Sequence, residues 1–278
     1  MICLDAHSLA LRRLMLDTLY KAGRGHLPSA LSCLEIVRVL YDKIMRVRPL
    51  EPTWRERDRF VFSKGHGCLA LYAVLADKGF FPKEELASFC AFGSRLGGHP
   101  ERLLPGVEAA TGSLGHGPSL GVGMALALRL DKLDARVFVL CGDGETNEGS
   151  VWEACLSAAK HGLDNFILII DRNGQQSWDD TEKILPLEPY AEKFRAFGFS
   201  VAELNGHDSA VLEQAFSTLP LTPGKPSCLI CHTVKGKGFP SLEHNLAWHH
   251  KTKLGEDEYA RLLTELGAAE LEAARREA

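Results

Sequence analysis

The chain has 278 residues, and its 32 Lys and Arg residues against 36 Asp and Glu residues give a formal net charge of −4. This balance gives no electrostatic reason to expect nucleic acid or an anionic membrane as a partner. Hydrophobic residues make up 45% and charged residues 24% of the chain, which is typical of globular proteins and excludes disorder, collagen and coiled coils. No apolar run approaches the roughly 20 residues of a membrane-spanning helix, so we expect no membrane segment.

The amino terminus shows no export signal, because Asp5 and His7 interrupt the stretch that would be apolar in a signal peptide. Eight cysteines are scattered through mostly apolar segments, so we interpret them as reduced thiols of a cytoplasmic protein. The pair Cys228 and Cys231 has metal-ligand spacing but lies in an apolar run without a second pair. It therefore predicts a buried strand instead of a metal site.

The amino-terminal part of the chain is predicted to be helical. Leucines at helical spacing predict a first helix over 6–21, which Gly23 and Gly25 end, and residues 31–45 predict a second. The only linker-like stretch, 221–226, is too short to separate domains. We expect one domain over residues 1–278.

Short apolar runs alternate with helical patterns in the second half of the chain. Strands are predicted at 136–144, 165–174, 199–206 and 227–233, and helices at 148–161, 189–197, 209–218 and 256–276. Strands that are apolar on both faces and alternate with helices indicate an α/β fold, a mostly parallel sheet with helices on both faces. Ligands bind beyond the carboxyl ends of such strands, so 142–144, 171–174 and 205–208 should lie along one rim.

The turns after two neighbouring strands predict a magnesium site. Asp143 offers a carboxylate, Asn173 an amide oxygen and Gln175 a main-chain carbonyl, and Mg²⁺ uses few protein ligands of this type beside phosphate oxygens. Gly142 and Gly144 would let backbone N–H groups approach a diphosphate. Each turn alone is a common surface feature, but the pair at this spacing favours the site. Neither a dinucleotide fingerprint nor a P-loop occurs.

A GDG sequence followed after about thirty residues by Asn resembles thiamine diphosphate enzymes, and the surrounding segments resemble transketolase specifically. The similar segments are GRGHLPSALSCLEI (23–36), FVFSKGHGCLALYAVL (60–75), GGHPE (97–101), ATGSLGHGPSLGVGMALA (110–127), LEPYAEKFRAFGFSV (187–201), NGHD (205–208), and HTVKGKG (232–238) with WHH (248–250). This series spans nearly the whole chain. The resemblance implies a thiamine-diphosphate-binding domain with bound Mg²⁺.

The resemblance also implies roles for individual residues. The metal ligands would be Asp143, Asn173 and the carbonyl of Gln175, and the cofactor would contact His66, Gly112, Leu114, Gly142, Asp143, Gly144, Glu145, Asn173 and His249. His26 and His99 match histidines that contact the sugar, while His66 and His249 match those beside the reacting centre. Glu148 matches a carboxylate that reaches the partner's cofactor-activating glutamate.

Several positions leave alternatives open. His250 follows His249, and a one-residue shift would exchange their roles. His116 lies where many transketolases have Gln, so it is a candidate cofactor contact. Lys64 and Lys160 are interpreted as solvated lysines instead of phosphate binders. Arg24 and Leu27 stand in GRGHLPSA where the family commonly reads SGHPGG or SGHPGA, which favours unusual substrates.

A complete transketolase is about twice as long as this chain, and its second domain carries the glutamate that activates the aminopyrimidine. The resemblance therefore implies one half of a split, heteromeric α2β2 transketolase with a separate pyrimidine-binding subunit and sugar or sugar phosphate substrates. We expect an exposed apolar face around Glu148, Val151 and Trp152 to meet that partner. The alternatives are a transketolase-like enzyme of a specialised sugar pathway and a non-catalytic regulatory relative.

Overall fold

The computed structural model describes residues 4–249, 251 and 253–277. Its centre is one five-stranded sheet in the order β1-β2-β3-β5-β4, and every neighbouring pair is parallel. The strands are β1 (Arg59–Phe62), β2 (Val137–Gly142), β3 (Phe166–Arg172), β4 (Ser200–Asn205) and β5 (Ser227–His232). All carboxyl ends therefore lie at one edge.

Helices cover both faces of the sheet. One face packs against α5 (His116–Leu130), α6 (Gly149–Lys160) and α8 (Tyr190–Ala196). The other packs against α1 (Ala6–Ala22), α2 (Leu27–Leu31), α3 (Leu34–Val39), α4 (Cys68–Asp77), α9 (Ser209–Ser217) and α10 (Glu256–Glu277), while α7 (Thr181–Ile184) lies outside both clusters. Alternate residues of β2 face opposite sides, Val139 toward α5 and Leu140 toward the other cluster.

The predicted fold class is confirmed, and so are the four predicted strands and the helices α1, α6, α8, α9 and α10. The second predicted helix is wrong in detail, because α2 and α3 are separate and the chain continues as a single π turn, Leu40–Ile44. The larger elements that were not predicted have identifiable causes: β1 is only four residues long, α4 is buried nearly all round, and α5 is rich in glycine. Each lacks the length or periodicity on which the prediction rested.

Glycines bring α5 unusually close to the sheet. A Cβ atom at Gly117 would lie 2.1 Å from Ser63 Oγ, and one at Gly121 would lie 2.4 Å from Val139 Cγ2. The close approach places the amino end of α5, and the loop before it, at the carboxyl edge of β1 and β2. Within the described residues, no helix combines the length and apolarity needed to cross a bilayer.

Candidate active site

A cavity of about 260 Å³ opens at the carboxyl edge of the sheet. Gly142 of β2 pairs with Asp171 of β3, so the turns that follow these strands come together there. Of the residues to which the resemblance assigns a role, every one except Glu148 lines this cavity. The lining residues are His26, Lys64, His66, His99, Gly112, Leu114, Gly142, Asp143, Gly144, Glu145, Asn173, Gln175, Gln176, Ser177, Lys235 and His249.

Asp143 is a buried carboxylate that joins the two turns. Its Oδ1 accepts a hydrogen bond from the Gly144 N–H at 2.8 Å, and its Oδ2 accepts from the Gly174 N–H at 2.7 Å and from Arg172 at 3.0 Å. Burial and the nearby Asp171 raise the pKa of Asp143, while Gly174 and Arg172 oppose the rise. A cation in the cavity would therefore stabilise the ionised carboxylate.

The predicted metal ligands fit Mg²⁺ in donor type. Asp143, Asn173 and Gln175 line one cavity and supply a carboxylate, an amide and a main-chain carbonyl, which are hard oxygen donors. The Gln175 Oε1 atom is also buried without a hydrogen-bond partner. No cluster of three or more His, Cys, Asp or Glu side chains suited to a metal occurs in the part of the chain that the structure describes, so this site would use a single carboxylate.

Two buried lysines add positive charge to the cavity, and the interpretation of Lys64 as solvated is wrong. Lys64 is 1% exposed, forms an ion pair with Asp171 and donates to the Ser29 carbonyl at 2.9 Å. Burial alone would lower its pKa, but Asp171 raises it to about 12. Lys235 donates to the Gln175 carbonyl at 3.2 Å, and burial together with Lys64 lowers its pKa to about 8. An anionic ligand would relieve the repulsion between these ammonium groups.

Four histidines surround the cavity. The rings of His26, His66 and His249 have centroids 5.8–6.0 Å apart, and His26 Nδ1 is 2.9 Å from the His249 carbonyl oxygen. Burial and Lys64 hold the pKa of His66 well below its ordinary value, and burial and His26 lower the pKa of His99. His66 is therefore neutral near pH 7. His249 is buried, with its Nε2 3.2 Å from Ser177 Oγ.

Glu145 organises the cavity wall. One of its carboxylate oxygens accepts from Ser63 Oγ and, at 2.9 Å, from the Gly115 N–H, while the other accepts from the Gly142 N–H at 3.0 Å. Burial raises its pKa, and these donors oppose the rise. Both oxygens are engaged within the chain, so Glu145 shapes the cavity wall by tying the β2 turn to the loop before α5.

Several candidates lie outside the cavity. Glu148 is exposed at the amino end of α6, and His116 is exposed at the start of α5. The sequence NGHD lies at the same edge of the sheet, but the side chain of His207 is buried below the cavity against Glu35. His250 lies outside the described residues. Lys160 is exposed, as expected.

The expected apolar face around Glu148 is wrong at Val151, while Trp152 is half-buried. Val151 is fully buried in the core, and Trp152 stacks on Phe194 and donates to the Thr146 carbonyl at 2.8 Å. Exposed leucines lie on the solvent side of the neighbouring helices instead, at Leu120 of α5 and Leu156 of α6.

Sequence reasoning missed Lys235, Gln176 and Ser177 as cavity residues. The segment HTVKGKG is one of those that resemble transketolase, and the position of its first lysine, just before Gly236 and soon after a buried strand, is the signal that could have identified Lys235. Gln176 and Ser177 follow the predicted ligand Gln175 directly, so their position beside the cavity depends on the path of the loop. The predicted buried strand at Cys228 and Cys231 is confirmed, and both thiols are free.

Fold and cavity together define a class of protein. A parallel α/β sheet with a GDG turn, an Asn after the next strand and a histidine-lined basic cavity at its carboxyl edge is a thiamine-diphosphate-binding domain. Residues 5–274 match the family described as "Transketolase, thiamine diphosphate binding domain". The chain belongs to the transketolase family.

Similar proteins include subunits of split transketolases. One is a subunit of the apulose-4-phosphate transketolase of Phocaeicola vulgatus, to which the chain is 44% identical over 253 residues, covering 91% of this chain and 90% of that protein. Another is the SqwG subunit of the 6-deoxy-6-sulfo-D-fructose transketolase of a Clostridium species. The chain is 41% identical to it over 266 residues, which cover 95% of this chain and 96% of that protein. The predicted membership among amino-terminal subunits of split transketolases is confirmed.

Solved transketolases share the fold. The enzyme from Campylobacter jejuni superposes with a TM-score of 0.82 and 31% identity over 96% of this chain and 46% of that one. The transketolase of Pichia stipitis, solved as an R525L mutant, superposes with a TM-score of 0.86 and 29% identity. The match covers 94% of this chain and 40% of that one. The chain therefore spans about half the length of the solved transketolases that it matches.

Proposed function

We propose that this chain is the diphosphate-binding subunit of a split transketolase, which transfers a two-carbon ketol unit from a ketose donor to an aldose acceptor. The observation that carries this proposal is the cavity, which gathers the predicted metal donors and four histidines from segments far apart in the sequence. The near full-length match to proteins named transketolase subunits supports it.

The cavity residues divide by the part of the cofactor they would hold. Asp143, Asn173 and the Gln175 carbonyl are the proposed Mg²⁺ ligands. Lys235, His66 and His249 suit a diphosphate beside Gly144, while Gly112 and Leu114 offer a surface for the rings. Bound thiamine diphosphate supplies the nucleophilic carbon that accepts the ketol unit.

The histidines would handle the sugar. His26 and His99 lie on the cavity wall and offer donors and acceptors for hydroxyl and carbonyl oxygens. His249 lies close to both His26 and His66, where it can take and return a proton as the sugar carbon–carbon bond breaks and forms. A neutral His66 accepts hydrogen bonds without adding charge.

A separate pyrimidine-binding subunit, in an α2β2 assembly, is the proposed partner. Two relatives are named as subunits of transketolases. Glu148 is exposed at the amino end of α6, outside the cavity, where it is accessible to a partner's glutamate. The free thiols within the described residues suit a reducing cytoplasm.

A specialised substrate is the second candidate function. The two similar subunits are named for apulose 4-phosphate and for 6-deoxy-6-sulfo-D-fructose, and both sugars carry an anionic group. Arg24 is exposed two residues before His26 and replaces a residue that is commonly Ser in the family. We propose that the preferred sugars are anionic and differ from ordinary ketose phosphates.

The test is reconstitution. The chain is co-expressed with candidate partner chains that carry a pyrimidine-binding domain, and turnover is measured with neutral, phosphorylated and sulfonated ketose donors. We expect turnover only with the partner, thiamine diphosphate and Mg²⁺ together. Turnover by the chain alone would contradict the split arrangement, and turnover without thiamine diphosphate would contradict the reaction class.

A further inference from the structure

The segment 233–238 carries Lys235 into the cavity and is fixed by contacts from four separate elements. Thr233 donates to Asp171, and the Gly236 N–H donates to the Pro28 carbonyl at 3.1 Å. The Val234 N–H donates to His207 Nε2 at 2.8 Å. Arg12 donates through Nε to the Lys237 carbonyl at 3.0 Å. None of these four anchoring residues lines the cavity itself.

His207 and Arg12 meet at one buried carboxylate. Arg12 forms two hydrogen bonds with Glu35, at 2.6 and 3.1 Å, and His207 Nδ1 is 2.8 Å from the second oxygen of Glu35. Arg12, Glu35 and His207 are 0%, 1% and 5% exposed. The trio therefore connects α1, α3 and the turn after β4 to the segment that holds Lys235.

The hydrogen bonds define the tautomer of His207. An amide N–H can only donate, so the Nε2 atom that faces Val234 must carry no proton. The proton is then on Nδ1, and it is donated to Glu35. Although burial alone would raise the pKa of Glu35, Arg12 and His207 lower it strongly, so this carboxylate is an acceptor only. Arg12 thus keeps Glu35 ionised, Glu35 keeps the proton on His207 Nδ1, and His207 Nε2 is left to accept from the Val234 amide.

We infer that His207 is a positioning residue, oriented by Glu35 and Arg12, which sets the path of segment 233–238 so that Lys235 points at the diphosphate end of the cavity. This inference rests on the proposed diphosphate-binding function. His207 contacts neither the cavity nor its ligand, and it acts through the Val234 amide.

A merely structural role would destabilise the whole domain, whereas a positioning role acts through Lys235. The two are separated by a double-mutant cycle on the binding of inorganic pyrophosphate with Mg²⁺, measured by titration calorimetry on the full chain. His207→Asn keeps a donor near Glu35 but does not reach Val234. His207→Gln is the matched control, because its longer amide can both donate and accept.

We expect His207→Asn to weaken pyrophosphate binding about tenfold, a usual effect of losing one buried hydrogen bond, and His207→Gln to stay within about threefold. In the Lys235→Met background, His207→Asn should weaken pyrophosphate binding by less than about a further twofold, because the effects of coupled residues are not additive. An effect of His207→Asn that is undiminished in the Lys235→Met background would overturn the inference, and so would unchanged affinity in His207→Asn.

Amide hydrogen exchange gives a second readout that needs no ligand. Exchange at Val234 should accelerate in His207→Asn and stay near wild type in His207→Gln, while exchange within β2 and β3 stays unchanged in both. Equal exchange at Val234 in the two variants would contradict the positioning role. If the wild-type chain binds no pyrophosphate, the proposed function fails, and the exchange comparison still tests the contact between His207 and the segment.

Discussion

At the scale of single residues, Asp143 holds the ends of two strands and one edge of the cavity together. Its two oxygens accept hydrogen bonds from the turns after β2 and β3. Arg172 compensates part of its charge. The carboxylate is therefore held in place by the chain itself, which would lower the entropic cost of forming the proposed metal site.

Replacing Asp143 should remove the metal. Asp143→Ala is expected to weaken thiamine diphosphate binding in the presence of Mg²⁺ by at least about tenfold, since even outer-shell partners of metal ligands contribute 10–100-fold. Titration calorimetry of the reconstituted complex measures this affinity. The control is Asp131→Ala, which removes an exposed ion pair with Arg55. Unchanged affinity in Asp143→Ala, or in wild type with a chelator, would show that the metal assignment is wrong.

Alanine substitutions of the cavity histidines should change different kinetic constants. Alanine at His26 or His99 should raise KM or lower kcat/KM with nearly unchanged cofactor affinity, because these residues are expected to contact the sugar. His249→Ala should lower kcat for every substrate pair by about 10²–10⁴-fold, the usual contribution of general acid–base groups. His250→Ala is the matched comparison at saturating substrate. A large loss of kcat only in His250→Ala would transfer the role to that residue.

The neutral His66 predicts a pH dependence of stability. Its pKa in the folded chain lies well below 6.5, so below about pH 6.5 the unfolded chain binds a proton that the folded chain does not. The free energy of unfolding should therefore fall as pH drops below about 6.5 and should be insensitive to this group above it. In His66→Gln the fall should be smaller, while His161→Gln at an exposed position should behave as wild type. Urea unfolding at several pH values tests this, and identical pH profiles for the wild type and His66→Gln would refute it.

Residue patterns revealed the anionic and polar half of the cavity more readily than the cationic half. Asp143 and Asn173 follow predicted strands, so their meeting at one edge follows from the parallel sheet itself. Lys64 and Lys235 are harder to assign, although Lys235 also follows a predicted strand, because a lysine beside glycines is usually solvated. Their burial depends on Asp171 and on the path of segment 233–238, which are tertiary features.

At the scale of elements, α5 shows how local propensity gives way to packing. Its amino-terminal half contains three glycines, which disfavour a helix. Gly117 and Gly121 face β1 and β2 so closely that no side chain fits, whereas Gly123 has nothing within 4 Å of its added Cβ. The sequence pattern did not predict this helix because its stabilising contacts are non-local.

The two glycines of one helix give a matched pair. Gly121→Ala should destabilise the chain by about 1–3 kcal/mol, because its Cβ would overlap Val139. Gly123→Ala should stabilise it by about 0.5–1 kcal/mol, because alanine replaces glycine in a helix without a clash. Urea unfolding of the isolated chain measures both values. Equal effects of the two substitutions would contradict the close packing of α5 on the sheet.

At the scale of the whole molecule, we propose that the exposed leucines of α5 and α6 belong to the surface that the partner subunit buries. Leu120 is 41% and Leu156 59% exposed, and Gly123 beside them leaves room for close approach. The expectation of a separate pyrimidine-binding subunit placed this face around Glu148, Val151 and Trp152. Val151 points inward together with Ala154, Cys155 and Ala158 of α6, however, so we propose the solvent-facing side of the helix pair as the partner surface.

A charge on that surface should block assembly without unfolding the chain. Leu120→Glu and Leu156→Glu are expected to weaken association with the pyrimidine-binding subunit by at least about tenfold. Truncation of a central interface residue commonly costs more than about 1 kcal/mol of binding free energy, and burial of an unpaired charge costs more. The Tm of the isolated chain should change little, because Leu120 and Leu156 are already 41% and 59% exposed there. Leu50→Glu is the control, as Leu50 is 92% exposed and lies on a loop before β1. Analytical ultracentrifugation with the partner chain measures association, and loss of turnover should follow loss of assembly. Full association of both the Leu120→Glu and Leu156→Glu variants would show that the interface lies on another face of the domain.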